Sequence, residues 1–243
     1  PKGPLSLGRR NLAATGNSSY GYFGGGFPGP LSTVDRIDYS NDTATASPKG
    51  PLSVGRELLA ATGNSSFGYF GGGFSPAFST VDRIDYSNDT ATASPKGPLS
   101  GTKRQISATG NADFGYFTMG GGDPVNRVDY SNDTATASPK GPLSVARYDL
   151  AASSAKANAI TDLTLVPAST PRPTESPIGY DTGYFGGGYS SYSTVDRIDY
   201  SNDTTTAAPK GPLSLARGYL AATGNSSFGY FGGGLALTSV VDR

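Results

Sequence analysis

Short segments of alternating or aromatic character, each closed by a turn, recur along the chain. Residues 12–15 (LAAT) are small and apolar, and Gly16-Asn17 turns the chain after them. Residues 19–24 (SYGYFG) are aromatic and end at Gly25-Gly26. Residues 33–39 (TVDRIDY) alternate, with Val34 and Ile37 among charged neighbours, and residues 40–42 turn again. Residues 43–47 (TATAS) are β-branched and small, followed by the PKGP turn at 48–51. Segments of this length and pattern, each with its turn, predict a four-stranded antiparallel meander. Only near 145–166 does the chain offer a ten-residue window free of Gly, Pro and turn clusters, so little helix is expected.

The meander is repeated. PKGPLS begins at 1, 48, 95, 139 and 209, and DYSNDT at 38, 85, 129 and 199. Residues 32–53 and 79–100 are identical, STVDRIDYSNDTATASPKGPLS. The glycine phrase occupies 20–26, 67–73, 182–188 and 228–234, and a fifth copy at 114–122 carries two extra residues. Internal periods of about 40–50 residues point to a propeller or solenoid. The expected fold is all-β: one five-bladed β-propeller over residues 1–243, with four-stranded antiparallel blades. Arg243 falls within the third strand of the fifth unit, so that blade is expected to be three-stranded, or the chain to be a piece of a longer array. Unit four carries an insertion at about 153–181 whose second half, PASTPRPTESP, is too rich in Pro, Ser and Thr to pack.

Composition agrees. Gly (35) and Pro (18) are abundant, which disfavours helix. Tyr (15) and Phe (11) supply the bulk to fill the wedges between blades, while the glycines after the second strand allow positive φ and close backbone approach. Lys+Arg and Asp+Glu balance at 19 each, so no overall field draws the protein to nucleic acid. No apolar run is long enough for a membrane helix. With neither Cys nor His, disulfides, thiolate and imidazole chemistry and nearly every zinc or copper site drop out, and no cofactor or metal is expected. No signal peptide is visible, and because the chain starts at Pro1 without a Met, removal or omission of a leader stays open.

The run from Gly24-Gly25 through Val34, Arg36 and Asp38 to Arg56 resembles the kelch repeat, as do Gly71, Gly72, Val81, Arg83 and Asp85 in the next unit. In that family a double glycine ends the second strand, a V-x-R-aromatic-Asp stretch forms the third, and an Arg opens the next inner strand. Ile37 stands where the family usually has Tyr, Ala44 near its expected Trp, and the chain contains no Trp. The resemblance implies a propeller; the copper chemistry known among such propellers lacks its ligands here.

The copies differ in two places. One follows the inner-strand Arg or Lys: Arg10-Asn11, Glu57-Leu58, Arg104-Gln105, Tyr148-Asp149 and Gly218-Tyr219. The other is the loop between second and third strands, with Phe27, Phe74, Phe78, Tyr189 and Tyr192. In an up-and-down meander both places share one face of the disc. Arg10, Asn11, Glu57, Arg104, Gln105, Tyr148, Asp149 and Tyr219 are expected to ring the axial mouth, and the five aromatics to lie exposed on loops of that face. A constant scaffold with one varying rim is the usual construction of a binding surface, and Tyr, Phe, Arg and Asn are frequent in recognition sites.

Other chemistry weighs less. The triple glycines lack the following helix N-terminus of a phosphate loop. The Asp35-Arg36-Asp38 run recurs, so an ion pair within the blade explains it better than a catalytic site. The SNDT turn lacks a calcium-loop pattern. The N-x-[ST] sequons at Asn17, Asn41, Asn64, Asn88, Asn132, Asn202 and Asn225 read as turn formers or, in a secreted protein, glycan acceptors. A propeller glycosidase needs paired carboxylates; Glu57 with Asp149 is the available pair, because Glu175 falls in the insertion.

The sequence therefore predicts a non-enzymatic recognition or attachment module binding a protein or glycan, as a monomer or within a larger assembly. A glycosidase and a purely structural spacer are the alternatives. The text also resembles highly repetitive propellers of marine microbes and viruses, which would suit an extracellular or virion surface.

Overall fold

The computed structural model describes residues 1–118, 124–154, 182–189, 192–224, 228–235 and 239–243. Each GYF segment is the second strand of its sheet, where Gly on both sides of the aromatics lets neighbouring sheets approach. Blade 1 is formed by β1 (Ala13–Gly16), β2 (Tyr20–Gly24), β3 (Val34–Asp38) and β4 (Ser47–Pro48). Blade 2 comprises β5 (Ala60–Gly63), β6 (Phe67–Gly71), β7 (Val81–Asp85) and β8 (Ser94–Lys96). Blade 3 comprises β9 (Ala108–Gly110), β10 (Phe114–Phe117), β11 (Pro124–Asp129) and β12 (Ser138–Pro142). Blade 4 follows with β13 (Ala151–Ser154), β14 (Thr182–Gly186), β15 (Val195–Asp199) and β16 (Ala208–Lys210). Blade 5 has three strands, β17 (Ala221–Gly224), β18 (Gly229–Gly232) and β19 (Val241–Asp242). Every sheet is an antiparallel meander, and the five stand in a ring as a five-bladed all-β propeller. The insertion expected in blade 4 falls, from residue 155 to 181, outside the described residues.

The outer strand differs from expectation. Residues 43–46 do not form it; pairing with β3 begins at Ser47, and in blade 3 it runs through the whole PKGP stretch. The cause lies at Asp38, whose carboxylate accepts the Ser40 backbone N–H and Oγ–H and winds residues 39–41 into a 3-10 turn. The TATA residues are spent returning from that turn. Pro48 is tolerated in β4 because an outermost strand needs no N–H on its open side.

Side chains alternate across each sheet. Tyr22, Gly24, Val34 and Arg36 face blade 2, while Phe23 and Ile37 face the other way. The core is accordingly a series of slabs between blades. In the first, Ala13, Tyr22 and Val34 pack against Leu59, Phe70, Ile84 and Tyr86. Phe70 of blade 2 lies over Gly24 of blade 1: a Cβ there would stand 2.7 Å from its ring. Phe117 over Gly71 and Phe231 over Gly186 repeat the arrangement.

The repeated Asp-Arg-Ile-Asp run makes the expected ion pair within its blade, with a partner outside the run itself. Asp35 pairs with Arg9 at the entrance of the same blade, at 2.8 Å and fully buried. Arg36 crosses to the next blade and binds Asp89 at 2.7 Å, and Asp38 caps the turn. Arg56–Asp82 and Arg147–Asp196 repeat the first pair. Each of those arginines also donates to a β-strand carbonyl, that of Phe23, Phe70 or Phe185. Inter-blade strand packing runs from blade 1 to blade 5 in order, and none comparable joins blade 5 back to blade 1 among the described residues.

Candidate functional site

Ahead of each inner strand the chain makes one left-handed residue: Asn11 (φ 58), Leu58 (54), Gln105 (53), Asp149 (51) and Tyr219 (58). These are five of the six non-glycine residues with positive φ among the described residues. Left-handed backbone disfavours any side chain with a Cβ. It is sustained here by hydrogen bonds between blades: Leu58 N–H donates to the Asn11 carbonyl, Gln105 N–H to Leu58 and Tyr219 N–H to Asp149.

These residues line a cavity of about 250 Å³ on the axis, floored by Leu12, Leu59, Ile106, Leu150 and Leu220. Of the eight residues expected to ring the mouth, Asn11, Gln105, Asp149 and Tyr219 line it. Arg10, Glu57, Arg104 and Tyr148, each one residue earlier, stand outside it. Leu58 belongs to the ring and was not among the candidates. Its signal is positional: it directly precedes the apolar inner-strand residue, as the other four do.

The two variable places meet. Arg10 bridges Phe27, and Glu57 bridges Phe74, through paired backbone hydrogen bonds. Tyr189 N–H donates to the Tyr148 carbonyl in blade 4, and Leu235 N–H to Gly218 in blade 5. The expected exposure of the loop aromatics holds only for Tyr189, at 53%. Phe27 and Phe74 are half-buried beneath guanidinium groups, Arg10 at 4.4 Å and Arg104 at 5.1 Å from the ring centroids. Phe78 and Tyr192 are half-buried, and their carbonyls accept the backbone N–H of Lys103 and Arg217 in the following blade. Tyr148 and Tyr219 are exposed, and Tyr219 meets Tyr189 edge-on at 6.3 Å.

Glu57 and Asp149 have separate partners. The Asn11 amide donates to Glu57 at 2.8 Å, whereas Asp149 takes the Gln105 amide at 3.0 Å and the Tyr219 hydroxyl. Burial in the mouth lifts the Asp149 carboxyl above its ordinary value, against the lowering effect of those two hydrogen bonds. Among the described residues no group of three or more Asp and Glu is placed to hold a metal ion. No described helix is long and apolar enough to cross a membrane.

No family model and no curated protein matches this sequence. A solved structure titled "Structure of YjhT" is similar in fold, with a TM-score of 0.72 over 96% of this chain and 74% of that one, at 10% identity. What the two share is the propeller. At that identity the likeness carries architecture and leaves the chemistry of the mouth to be argued from its own side chains.

Proposed function

We propose that this propeller is a non-enzymatic recognition module that engages a protein or glycan through the face carrying the axial mouth. The observation that carries this reading is the continuity of the variable residues. Two stretches separated in sequence are hydrogen-bonded into one surface around the cavity, while three joints beneath repeat the same stacked tyrosine pair. Exposed Tyr148, Tyr189 and Tyr219 cluster there with amide and carboxylate groups, a composition suited to recognition. Engagement of Glu57 and Asp149 by neighbouring amides favours positioning roles over a glycosidase pair. A kelch-type origin belongs to the same reading, supported by the double glycines and by the buried arginine at the entrance of blades 1, 2, 4 and 5.

The test is a glycan array together with a pull-down from host material, repeated with Tyr148→Ala and Tyr219→Ala. Specific binding that falls at least tenfold in the double variant, with an unchanged melting temperature, supports recognition. Absence of any specific partner, or binding indifferent to both changes, favours a spacer.

A further inference from the structure

Among the described residues six aromatic rings each lie beneath a guanidinium, its carbon 4.2–5.1 Å from the ring centroid. The attraction of a cation to the electron-rich ring face holds such pairs together. On the mouth face two positions supply this cover. Arg10 reaches Phe27 from the entrance of the same blade, and Arg104 reaches Phe74 from the entrance of the following one.

Tyr189, the equivalent loop aromatic of blade 4, has neither source. Tyr148 stands where Arg10 stands in blade 1, and Gly218 where Arg104 stands in blade 3. Gly218 is closed to any side chain, because a Cβ there would lie 2.7 Å from the Gly188 carbonyl oxygen. Tyr189 is accordingly 53% exposed, with Tyr148 at 44% and Tyr219 at 50%. The rings of Tyr189 and Tyr219 meet at 87°, as two walls of a corner. From there the Tyr219 hydroxyl leads to the Asp149 carboxylate, whose described partners, that hydroxyl and the Gln105 amide, are both neutral. The charges of this sector are otherwise occupied. Residues 182–195 and 218–241 contain no charged side chain, and Arg147 and Arg217 are buried against Asp196 and Asp242.

We propose that the corner formed by Tyr189, Tyr219 and Asp149 receives an arginine side chain of a protein partner. That arginine supplies the guanidinium cover that blades 4 and 5 lack. The inference rests on the recognition reading above and narrows it to a basic peptide segment. The planar guanidinium stacks on Tyr189 as Arg10 stacks on Phe27, and its N–H groups donate to the Asp149 carboxylate. A flat fork of donors serves a ring face and a carboxylate together, which a compact ammonium does not. The methylene stem runs over Leu150 and Leu220, the apolar floor of the mouth in this sector. Complementary charge selects the partner: the corner offers aromatic faces and one acid that no described cation neutralises.

The experiment probes the chain with an array of random peptides carrying a central arginine. A matched array carries citrulline, the uncharged isostere, in its place. The chain should bind a subset of the arginine peptides and hold their citrulline forms about tenfold more weakly or worse. Tyr189→Ala and Asp149→Asn should each weaken binding by about tenfold; asparagine also tolerates the left-handed backbone at 149. Tyr148→Arg installs the internal cover of blade 1, and should abolish binding with an unchanged melting temperature because Tyr148 is exposed. Equal binding of arginine and citrulline peptides overturns the proposal, as does binding that survives Tyr148→Arg. Arginine peptides that stay unbound while a glycan array gives a ligand dependent on Tyr148 and Tyr219 overturn this inference and leave the recognition reading standing. Silence of both arrays overturns both.

Discussion

The hydroxyl of Tyr22 donates to Asp89 across the joint between blades 1 and 2 at 2.9 Å. The same carboxylate oxygen accepts Arg36 at 2.7 Å, and Asp133 receives Tyr69 and Arg83 at the same distances. One buried acid thus ties two side chains of the preceding blade. Asp89→Ala would strand a tyrosine hydroxyl and a guanidinium together, at a cost of about 2–3 kcal/mol. Asp42→Ala, at the equivalent position in blade 1, should change stability by no more than about 0.5 kcal/mol in the monomer. Urea denaturation of the two variants at low protein concentration checks the contrast; equal losses would contradict it.

Phe70 is fully buried over Gly24. Its replacement by Ala should cost about 3–5 kcal/mol, the range for deleting a core aromatic. Phe23→Ala should cost less than half as much, because Phe23 is only half-buried where Phe70 is fully enclosed. Thermal melts of the two proteins decide this.

The glycines beneath the aromatics respond in the same sense. Gly24→Ala places a methyl 2.7 Å from the Phe70 ring and should destabilise by about 1–3 kcal/mol through overpacking. Among the described residues, Gly232→Ala meets only Val241, at 3.4 Å. It should be close to neutral for the monomer, as read by denaturant midpoint.

Stability should fall at both ends of the pH scale. Burial first, and the neighbouring Asp89, Asp133 or Asp203 second, push the hydroxyls of Tyr22, Tyr69 and Tyr116 well above the ordinary tyrosine range. A raised acid group contributes its full stabilisation below the unfolded value, about 10 for tyrosine, and loses it as pH rises further. Tyrosinate absorbance should therefore appear in two stages, the second coinciding with loss of β-sheet circular dichroism. On the acid side, hydrogen bonds from Ser40, Ser87, Ser131 and Ser201 hold Asp38, Asp85, Asp129 and Asp199 below the ordinary carboxylate range. Their contribution is present above the unfolded value and is lost as pH drops through the folded one. Ser40→Ala and Ser87→Ala should shrink the acid-sensitive part of the stability curve.

The strands were legible where residue chemistry is local. Tyr and Phe between glycines, and Val34 alternating with charged neighbours, announce the second and third strands without reference to anything distant. TATAS misled because β-branched residues favour strands only when a partner strand lies alongside, and the capping carboxylate of Asp38 had already turned the chain away. The partner of Arg36 was hidden for a different reason: it lies 53 residues on, in another blade, and an ion pair across a joint leaves no local spacing to read. At the mouth, variation between copies marked the right segments. It could not separate Leu58, which faces the axis, from Glu57 beside it, because the left-handed twist that aims one inward is decided by a hydrogen bond to the preceding blade.

Because the joints between blades 1 and 2 and between blades 2 and 3 repeat the same tyrosine, aspartate, arginine and glycine contacts, they hold no record of which of those blades follows which. A joint that cannot tell blade 2 from blade 3 exerts no choice, so the order of those blades is stored in the covalent chain alone. Two consequences follow from this uniformity. Genes with internal blades shuffled should still yield folded protein. During refolding, blades from different molecules should exchange places readily, the characteristic failure of repeat proteins, unless dilution keeps each chain to itself.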